Sequence, residues 1–197
     1  MKILVILAHQ NRESYNHAIS HTVCQALGEA GHNVTLHDLC AEGFDPLLPK
    51  EEIPENGVVP PNIQKYCQEL QSTDGIVIIH PNWWCQAPAI LKGWLDRVIR
   101  PGIAYKFEGK EGEEGQIVGL LKGKRTLVIN TCDTPDQIQR SVYNDPLANL
   151  WKHGILGFCG IEDVEYKVFN MVTLSSPEQR KAWLKEVRQS ALRIFSA

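Results

Sequence analysis

The chain lacks the features that would place it in a membrane, on a secretory route or on nucleic acid. The N-terminal apolar run Ile3–Leu7 follows a single lysine and is too short for a signal peptide. No apolar run approaches the length of a membrane helix. A formal net charge of −3 provides no basic surface for nucleic acid. We therefore expect a cytoplasmic protein with no nucleic-acid partner and no membrane insertion.

Paired cysteines and a recognisable metal motif are also absent. The 6 cysteines are widely spaced and form no C-x-x-C pair, which indicates reduced thiols. Glu13, His17 and His21 share one face of a predicted helix, and two histidines four residues apart can chelate a metal ion. No third ligand with a telling spacing accompanies them, so a solvated helix face is favoured and no metal is predicted.

What is present is the pattern of an α/β protein. At 197 residues, with 43% hydrophobic and 22% charged residues, the chain predicts one domain over residues 1–197. Short apolar runs alternate with amphipathic segments, which predicts a doubly wound parallel sheet with helices on both faces. Strands are predicted at 2–7, 33–39, 75–79, 126–130 and 164–169, helices at 14–30, 62–71, 88–99, 147–157 and 177–195, and loops at 43–61, 106–124 and 131–144.

Such a sheet most often has the strand order 2-1-3-4-5, and its ligand lies beyond the carboxyl ends of the strands where the order reverses. The loops at that edge are 8–14, 80–87 and 131–144. These three loops contain the residues of the sequence that are least typical of ordinary connecting loops. A binding site for a planar ligand is therefore predicted where these three loops meet.

The first of these loops leads into a helix without a glycine-rich phosphate loop. A helix N-terminus offers free N–H groups and a partial positive charge, which suit a phosphate. Ser14 and Asn16 add hydrogen-bonding side chains there. Taken alone, the segment also fits an ordinary capped helix after a strand.

The second loop contains Pro81, Asn82, Trp83, Trp84 and Cys85. Stiff aromatic side chains can form the wall of a planar ring, and backbone groups can bind its polar edge. The alternative is that one tryptophan packs on the following helix and the other lies at a subunit contact. Trp94, on the apolar face of helix 88–99, is predicted to be a core residue.

The run from Pro81 through Trp84 and Pro88 to Trp94 resembles the Pro-x-x-Trp-x-x-x-Pro-Ala-Ile-Leu-Lys-Gly-Trp signature of the NAD(P)H:quinone oxidoreductases, also called DT-diaphorases. Ala8-His9, Ser14-Tyr15-Asn16 and Gly154–Gly160 match the same family. The chain lacks the long C-terminal extension of the larger animal enzymes of this family and is more similar to its short bacterial members. The resemblance implies a flavodoxin-like fold and a flavin cofactor.

The resemblance also implies residue roles. His9, Tyr15 and Asn16 would contact the phosphate region of the flavin, and Trp84 its ring and the substrate. In the third loop the family has Thr-Thr-Gly-Gly, whereas this chain keeps Thr131 and replaces both glycines, so Asp133 is expected to point away from the ring. The predicted cofactor-binding set is His9, Ser14, Tyr15, Asn16, Pro81, Asn82, Trp83, Trp84, Cys85, Asn130, Thr131 and Cys132.

The cofactor itself carries the chemistry, and no side chain is assigned a catalytic role. In the family, a tyrosine and a histidine are proposed to assist hydride transfer. They lie in a stretch that is shorter in this chain, and neither Tyr143 nor His153 is matched to them. FMN is favoured over FAD because fewer residues remain to hold an adenine. The hydride donor is NADH or NADPH.

A segment after the third helix, Ala104-Tyr105-Lys106-Phe107, resembles a family segment that covers the flavin of the other subunit. The resemblance therefore implies a homodimer in which Tyr105 and Phe107 complete the substrate pocket together with Trp84. Without it, the segment fits a β-like loop with one buried aromatic.

The implied function is two-electron reduction of quinones or similar acceptors by NAD(P)H, with both substrates using one site in turn. Two other functions stay open. A flavodoxin-type electron carrier would need no substrate pocket, and the modest charge and paired tryptophans count against it. A regulatory flavoprotein subunit of a potassium-efflux transporter would co-purify with a membrane partner.

Overall fold

A five-stranded parallel sheet forms the centre of the molecule, in the order β2-β1-β3-β6-β7. The computed structural model describes residues 1–54, 56–109 and 115–196. The sheet strands are β1 Lys2–Leu7, β2 Asn33–Asp38, β3 Gly75–Pro81, β6 Arg125–Thr131 and β7 Asp163–Phe169. Numbered within the sheet alone, this order is 2-1-3-4-5, so the predicted flavodoxin-like topology is confirmed.

Helices cover both faces of the sheet. They are α1 Tyr15–Glu29, α2 Pro61–Ser72, α3 Ala89–Val98, α4 Asp136–Ser141, α5 Pro146–Asn149 and α6 Pro177–Ile194. Alternate residues of β1 enter opposite cores: Leu4 and Ile6 pack on the side that includes Trp94 and Trp151, and Val5 packs on the α1–α6 side. Burial on both faces explains why the inner strands β1 and β3 are nearly unbroken apolar runs, whereas the edge strands β2 and β7 are more polar and more exposed. Among the described residues, no helix combines the length and apolarity needed to cross a bilayer.

The segment predicted as a loop at 106–124 contains instead a β-hairpin. Strands β4 Tyr105–Glu108 and β5 Gln116–Gly119 pair antiparallel, with Tyr105 opposite Gly119 and Phe107 opposite Ile117. Residues 110–114 lie outside the described part of the chain. Each strand has only four residues, too few for alternation to stand out against the surrounding Gly, Glu and Lys.

Two further predictions in the second half of the chain need correction. The loop predicted at 131–144 contains α4, which begins after Pro135 and has Asp136 in its first turn, where a carboxylate is favourable. The helix predicted at 147–157 is the short α5 followed by a π-helix over Leu150–Gly157. Helical spacing of apolar residues over so short a segment does not separate an α-helix from the wider π-helix.

The proline-rich excursion between β2 and α2 is fastened to α3. A Cβ on Gly93 would lie 2.3 Å from Pro46, so only glycine allows this backbone approach. Arg97 of α3 makes a bidentate, buried ion pair with Glu52, at 2.6 and 3.2 Å, and donates to the carbonyl of Asp45 at 2.7 Å. These contacts fix the path of a segment whose described residues form no helix or strand other than a short 3₁₀ turn at Lys50–Glu52.

Candidate flavin site

A cleft of about 570 Å³ lies at the edge of the sheet where β1, β3 and β6 end. This volume is within the usual range for small-molecule sites. The cleft lies at the predicted position, where the order of the strands in the sheet reverses. The cleft is lined by His9, Asn11, Ser14, Tyr15, Asn16, Pro81, Asn82, Trp83, Thr131, Cys132, Asp133, Thr134, Val172 and Thr173. Most of the predicted cofactor-binding set is therefore brought together here.

The N-terminus of α1 forms one end of the cleft. Ser14 is the N-cap, and its hydroxyl accepts the N–H of His17. The first N–H groups of a helix have no partner within the helix, so they face whatever occupies the cleft. Asn16 is buried, and its amide donates to the Thr131 hydroxyl at 2.9 Å while its Oδ1 has no partner. This end of the cleft therefore offers helix N–H donors that suit an anion, beside one buried acceptor, Oδ1 of Asn16, that has no partner.

Tyr15 lines the cleft, but its hydroxyl is engaged elsewhere. The hydroxyl donates to the carbonyl of Arg180 at 2.8 Å, and the ring packs against Phe169 and Trp183. Burial raises the pKa of Tyr15 above its usual value, so it stays protonated and keeps this hydrogen bond. The phenol therefore anchors α1 to the start of α6.

His9 and Trp83 form an aromatic wall of the cleft, with ring centroids 6.1 Å apart. The N–H of Asn11 donates to Nδ1 of His9 at 3.1 Å. Burial is the main cause that lowers the pKa of His9, and the nearby His17 adds to it. His9 is therefore neutral at pH 7 and carries its proton on Nε2.

The second loop is a two-residue turn with a strained backbone. Trp83 and Gln86 exchange both N–H···O bonds at 3.0 Å, and Trp84 and Cys85 between them both have φ near 57°. Left-handed φ at both central positions is the geometry of a tight hairpin turn, which glycine or asparagine usually occupies. The turn points the Trp84 side chain outward, 98% exposed. In this single chain, Trp84 and Cys85 lie outside the cleft.

The third loop is tied to the segment after β7. The Asp133 carboxylate accepts the N–H of Thr173 at 2.8 Å, and the Cys132 thiol donates to Oδ1 of Asn170 at 2.8 Å. Burial raises the pKa of Cys132, which keeps it a neutral thiol. The two side chains that replace the family's glycines thus bind the neighbouring loop.

Asn130 lies beneath the cleft, in a buried polar network centred on His80. The Asn130 amide donates to the His80 carbonyl at 3.0 Å. The Trp151 indole N–H donates to Nε2 of His80 at 2.9 Å, and Nδ1 of His80 donates to the Pro81 carbonyl at 2.8 Å. Complete burial lowers the pKa of His80 to about 4. The neutral ring thereby fixes the peptide at which the second loop begins.

This depressed pKa predicts an acid sensitivity. His80 is neutral when folded down to about pH 4, whereas in the unfolded chain it titrates near pH 6.5. Its contribution to stability is complete above about pH 6.5 and is lost as the pH falls to about 4, by about 3 kcal/mol. Urea unfolding of wild type and His80→Gln at several pH values in this range gives the free energy of unfolding as a function of pH, and the slope should be steeper for wild type. Parallel slopes would contradict the prediction.

The predicted cap residues lie at a second concavity. Tyr105, Phe158, Leu95, Ile99 and Ile155 are among the residues that line an apolar groove of about 720 Å³ between α3 and the π-helix. The Tyr105 ring packs edge-on to Phe158, with centroids 4.9 Å apart, whereas Phe107 is 62% exposed. The structure therefore places Tyr105 against its own chain and Phe107 on the surface, and brings neither to the cleft of this chain.

His17 is not on a solvated face, contrary to the sequence-based interpretation. Its Nε2 lies 2.9 Å from Oδ2 of Asp38 and its Nδ1 lies 2.9 Å from the Ser14 hydroxyl, while His21 is exposed. Within residues 1–54, 56–109 and 115–196, no group of three or more His, Cys, Asp and Glu side chains could hold a metal ion.

Sequence reasoning missed one wall of the cleft, formed by Val172 and Thr173. They follow β7, in a short 3₁₀ turn entered through the left-handed residue Met171. The predicted strand order already placed the end of this strand at the same edge as the other loops. That topology was the available signal, since the residues themselves carry no motif.

Residues 1–194 match the protein family described as having a flavodoxin-like fold. The chain is 36% identical over 193 residues to an uncharacterized NAD(P)H oxidoreductase of Haemophilus influenzae, covering 96% of this chain and 93% of the relative. It is 30% identical to the ribosyldihydronicotinamide dehydrogenase [quinone] of Mus musculus, covering 98% and 92% of the two chains.

Among solved structures, the protein Smu.1420 of Streptococcus mutans superposes with a TM-score of 0.83 at 31% identity, covering 98% of this chain and all of that one. Fold, cleft position and similarity over nearly the whole length agree. The chain belongs to the family with the flavodoxin-like fold, among the NAD(P)H:quinone oxidoreductases.

Proposed function

We propose that the protein is a flavin-dependent NAD(P)H oxidoreductase that reduces quinones or similar acceptors by two electrons. The observation that carries this proposal is the cleft formed by the ends of β1, β3 and β6, which has a helix N-terminus at one end and an aromatic wall. The names of the relatives point to the same chemistry.

The residues of the cleft fit a flavin mononucleotide. The N-terminus of α1 and the Ser14 hydroxyl suit its phosphate. The unpartnered Oδ1 of Asn16 suits one of its donors, and His9 with Trp83 suit a planar ring system. Tyr15 is already engaged with Arg180 and Trp183 beyond the phosphate end. This occupancy favours FMN over FAD, whose adenine would have to extend past the phosphate.

A bound flavin would supply the centre that accepts and returns the hydride. The protein's part is to bind and orient. Neutral His9 adds no positive charge to the wall of the cleft, and the buried, neutral His80 beneath the cleft holds the Pro81 carbonyl where the second loop begins. The Asp133 carboxylate is held by Thr173. One open cleft serves NADH or NADPH first and the acceptor second, which predicts ping-pong kinetics.

Titration with FMN and FAD tests the proposal directly. We expect stoichiometric uptake of FMN, with oxidation of NADH or NADPH that depends on added quinone. Flavin uptake without quinone-dependent turnover would favour an electron carrier. Co-purification with a membrane protein would favour the regulatory subunit of a transporter. Failure to bind either flavin would remove the proposed function.

We also propose a homodimer in which Tyr105 and Phe107 of each subunit contribute to the other's substrate pocket. Phe107 is exposed beside an apolar groove, and a two-fold contact would bury both. The thiols of all six cysteines are free, which suits the cytoplasm as the proposed location.

The dimer predicts a specific kinetic change. The Tyr105→Ala, Phe107→Ala double variant should raise the KM for the acceptor, by about tenfold for the loss of two aromatic contacts, and leave flavin content unchanged. Steady-state kinetics and sedimentation measure both. A wild-type monomer with full activity at high dilution would exclude the shared pocket while leaving the flavin assignment intact.

A further inference from the structure

Three side chains form a continuous hydrogen-bonded chain from the end of β2 to the phosphate end of the cleft. Nε2 of His17 lies 2.9 Å from Oδ2 of Asp38, and Nδ1 of His17 lies 2.9 Å from the Ser14 hydroxyl. The side chains of His17 and Asp38 are 19% and 17% exposed, so the contact is largely shielded from water. Neither His17 nor Asp38 lines the cleft itself.

The hydrogen-bonding capacity of these groups fixes where the protons lie. Oδ1 of Asp38 accepts the N–H of Ala41 at 3.1 Å, and its Oδ2 accepts from His17. An ionised carboxylate only accepts, so Nε2 of His17 carries a proton. In the neutral ring, Nδ1 then has no proton and must accept the O–H of Ser14. The Ser14 hydroxyl also accepts the N–H of His17, so it presents only a lone pair to the cleft.

A second proton on His17 reverses the bond to Ser14. Nδ1–H then donates to the hydroxyl oxygen, and the O–H of Ser14 is free to turn into the cleft. We propose that His17 is a positioning residue for the flavin's phosphate: as an imidazolium held by Asp38, it makes Ser14 a donor to that phosphate at the N-terminus of α1. This inference rests on the proposed flavin function.

The surroundings favour this state once an anion is bound. The ionisable groups that face His17 are Asp38 from the end of β2 and His9 from the first loop, whose ring lies edge-on at 6.4 Å. His9 is neutral because burial lowers its pKa, and Cys40 beside Asp38 is a neutral thiol because burial raises its pKa. Asp38 and a phosphate on opposite sides of the ring both stabilise a positive charge between them. In the proposed complex, the His17 imidazolium therefore lies between two negative groups, with Nδ1–H directed at the Ser14 hydroxyl.

A comparison of FMN with riboflavin isolates the phosphate. Flavin fluorescence titrations would give the dissociation constant of each for wild type, His17→Gln and the matched control His21→Gln, which alters an exposed histidine one turn along the same helix. For His17→Gln we expect FMN binding to weaken about tenfold, the size of a charge-assisted hydrogen bond. Riboflavin binding should change by less than about twofold, and His21→Gln should change neither by more than that.

The pH dependence supplies a readout that a purely structural role would not move. From about pH 6 to about pH 8, the preference of wild type for FMN over riboflavin should decrease relative to that of His17→Gln, because only wild type needs the added proton. Equal weakening of FMN and riboflavin in His17→Gln, no weakening of either, or identical pH profiles in the two proteins would overturn the inference. Wild type that binds neither flavin would instead remove the proposed function, and this inference with it.

Discussion

Replacing Trp94 with alanine is expected to lower the free energy of unfolding by about 3–5 kcal/mol, the cost of a large cavity in a packed core. Trp94 is 1% exposed and belongs to the core beneath α3. Replacing Trp84 with alanine should change the free energy of unfolding by less than about 0.5 kcal/mol, because its side chain is almost fully exposed. Urea unfolding of the two variants measures this contrast between two tryptophans of one sequence motif.

The effects of these two substitutions on acceptor turnover should have the opposite order of size. Trp84→Ala is expected to lower acceptor turnover, because the resemblance assigns this indole to the substrate pocket, whereas Trp94→Ala should keep its turnover per folded molecule. Turnover is therefore measured at a temperature where both variants are folded. A Trp84→Ala protein that unfolds readily and works normally when folded would show that Trp84 is a packing residue.

The second large effect is expected from the excursion that packs on α3. Glu52→Ala removes the partner of Arg97 and leaves a guanidinium buried at 4% exposure. Breaking a buried pair in this way costs about 3–5 kcal/mol. The measurement is again the free energy of unfolding in urea.

Asp45 offers a matched control on the same arginine. Its carboxylate lies 3.7 Å from Arg97 but is 62% exposed. Asp45→Ala should therefore cost less than about 1 kcal/mol, as exposed ion pairs do. Similar losses for the two variants would show that burial does not distinguish these pairs.

The sheet was predictable because its inner strands β1, β3 and β6 are buried on both faces. Runs such as Ile76–Ile79 admit few other structures, and right-handed crossovers then limit the strand order. The hairpin of β4 and β5 was not predictable in the same way, since its eight strand residues are mostly exposed. Tyr105 of the hairpin packs against Phe158, a contact between segments far apart in sequence. Local pattern does not contain such information.

The site was predictable to the level of its loops. Strand ends of one sheet meet at one edge, so His9, Asn82 and Thr131 converge as expected. The direction of individual side chains was not predictable. Asn130 lies one residue from Thr131 yet faces His80 beneath the cleft, because successive strand residues point to opposite faces. His17 was misjudged because its partner Asp38 lies on strand β2, far from helix α1 in sequence. Helical spacing shows which residues share a helix face but not what packs against that face.

The strained turn between Trp83 and Gln86 has a spectroscopic consequence. It projects the Trp84 indole into water at 98% exposure, against 42% for the neighbouring Trp83 and 1% and 0% for Trp94 and Trp151. Indole emission shifts to longer wavelength in polar surroundings, so Trp84 contributes most to the long-wavelength edge of the protein's fluorescence and the half-exposed Trp83, in the same turn, contributes next. Any molecule that settles over this turn, acceptor or second subunit, removes water from that indole and shifts the edge to shorter wavelength. The unmodified protein thus carries its own optical reporter of events at the turn.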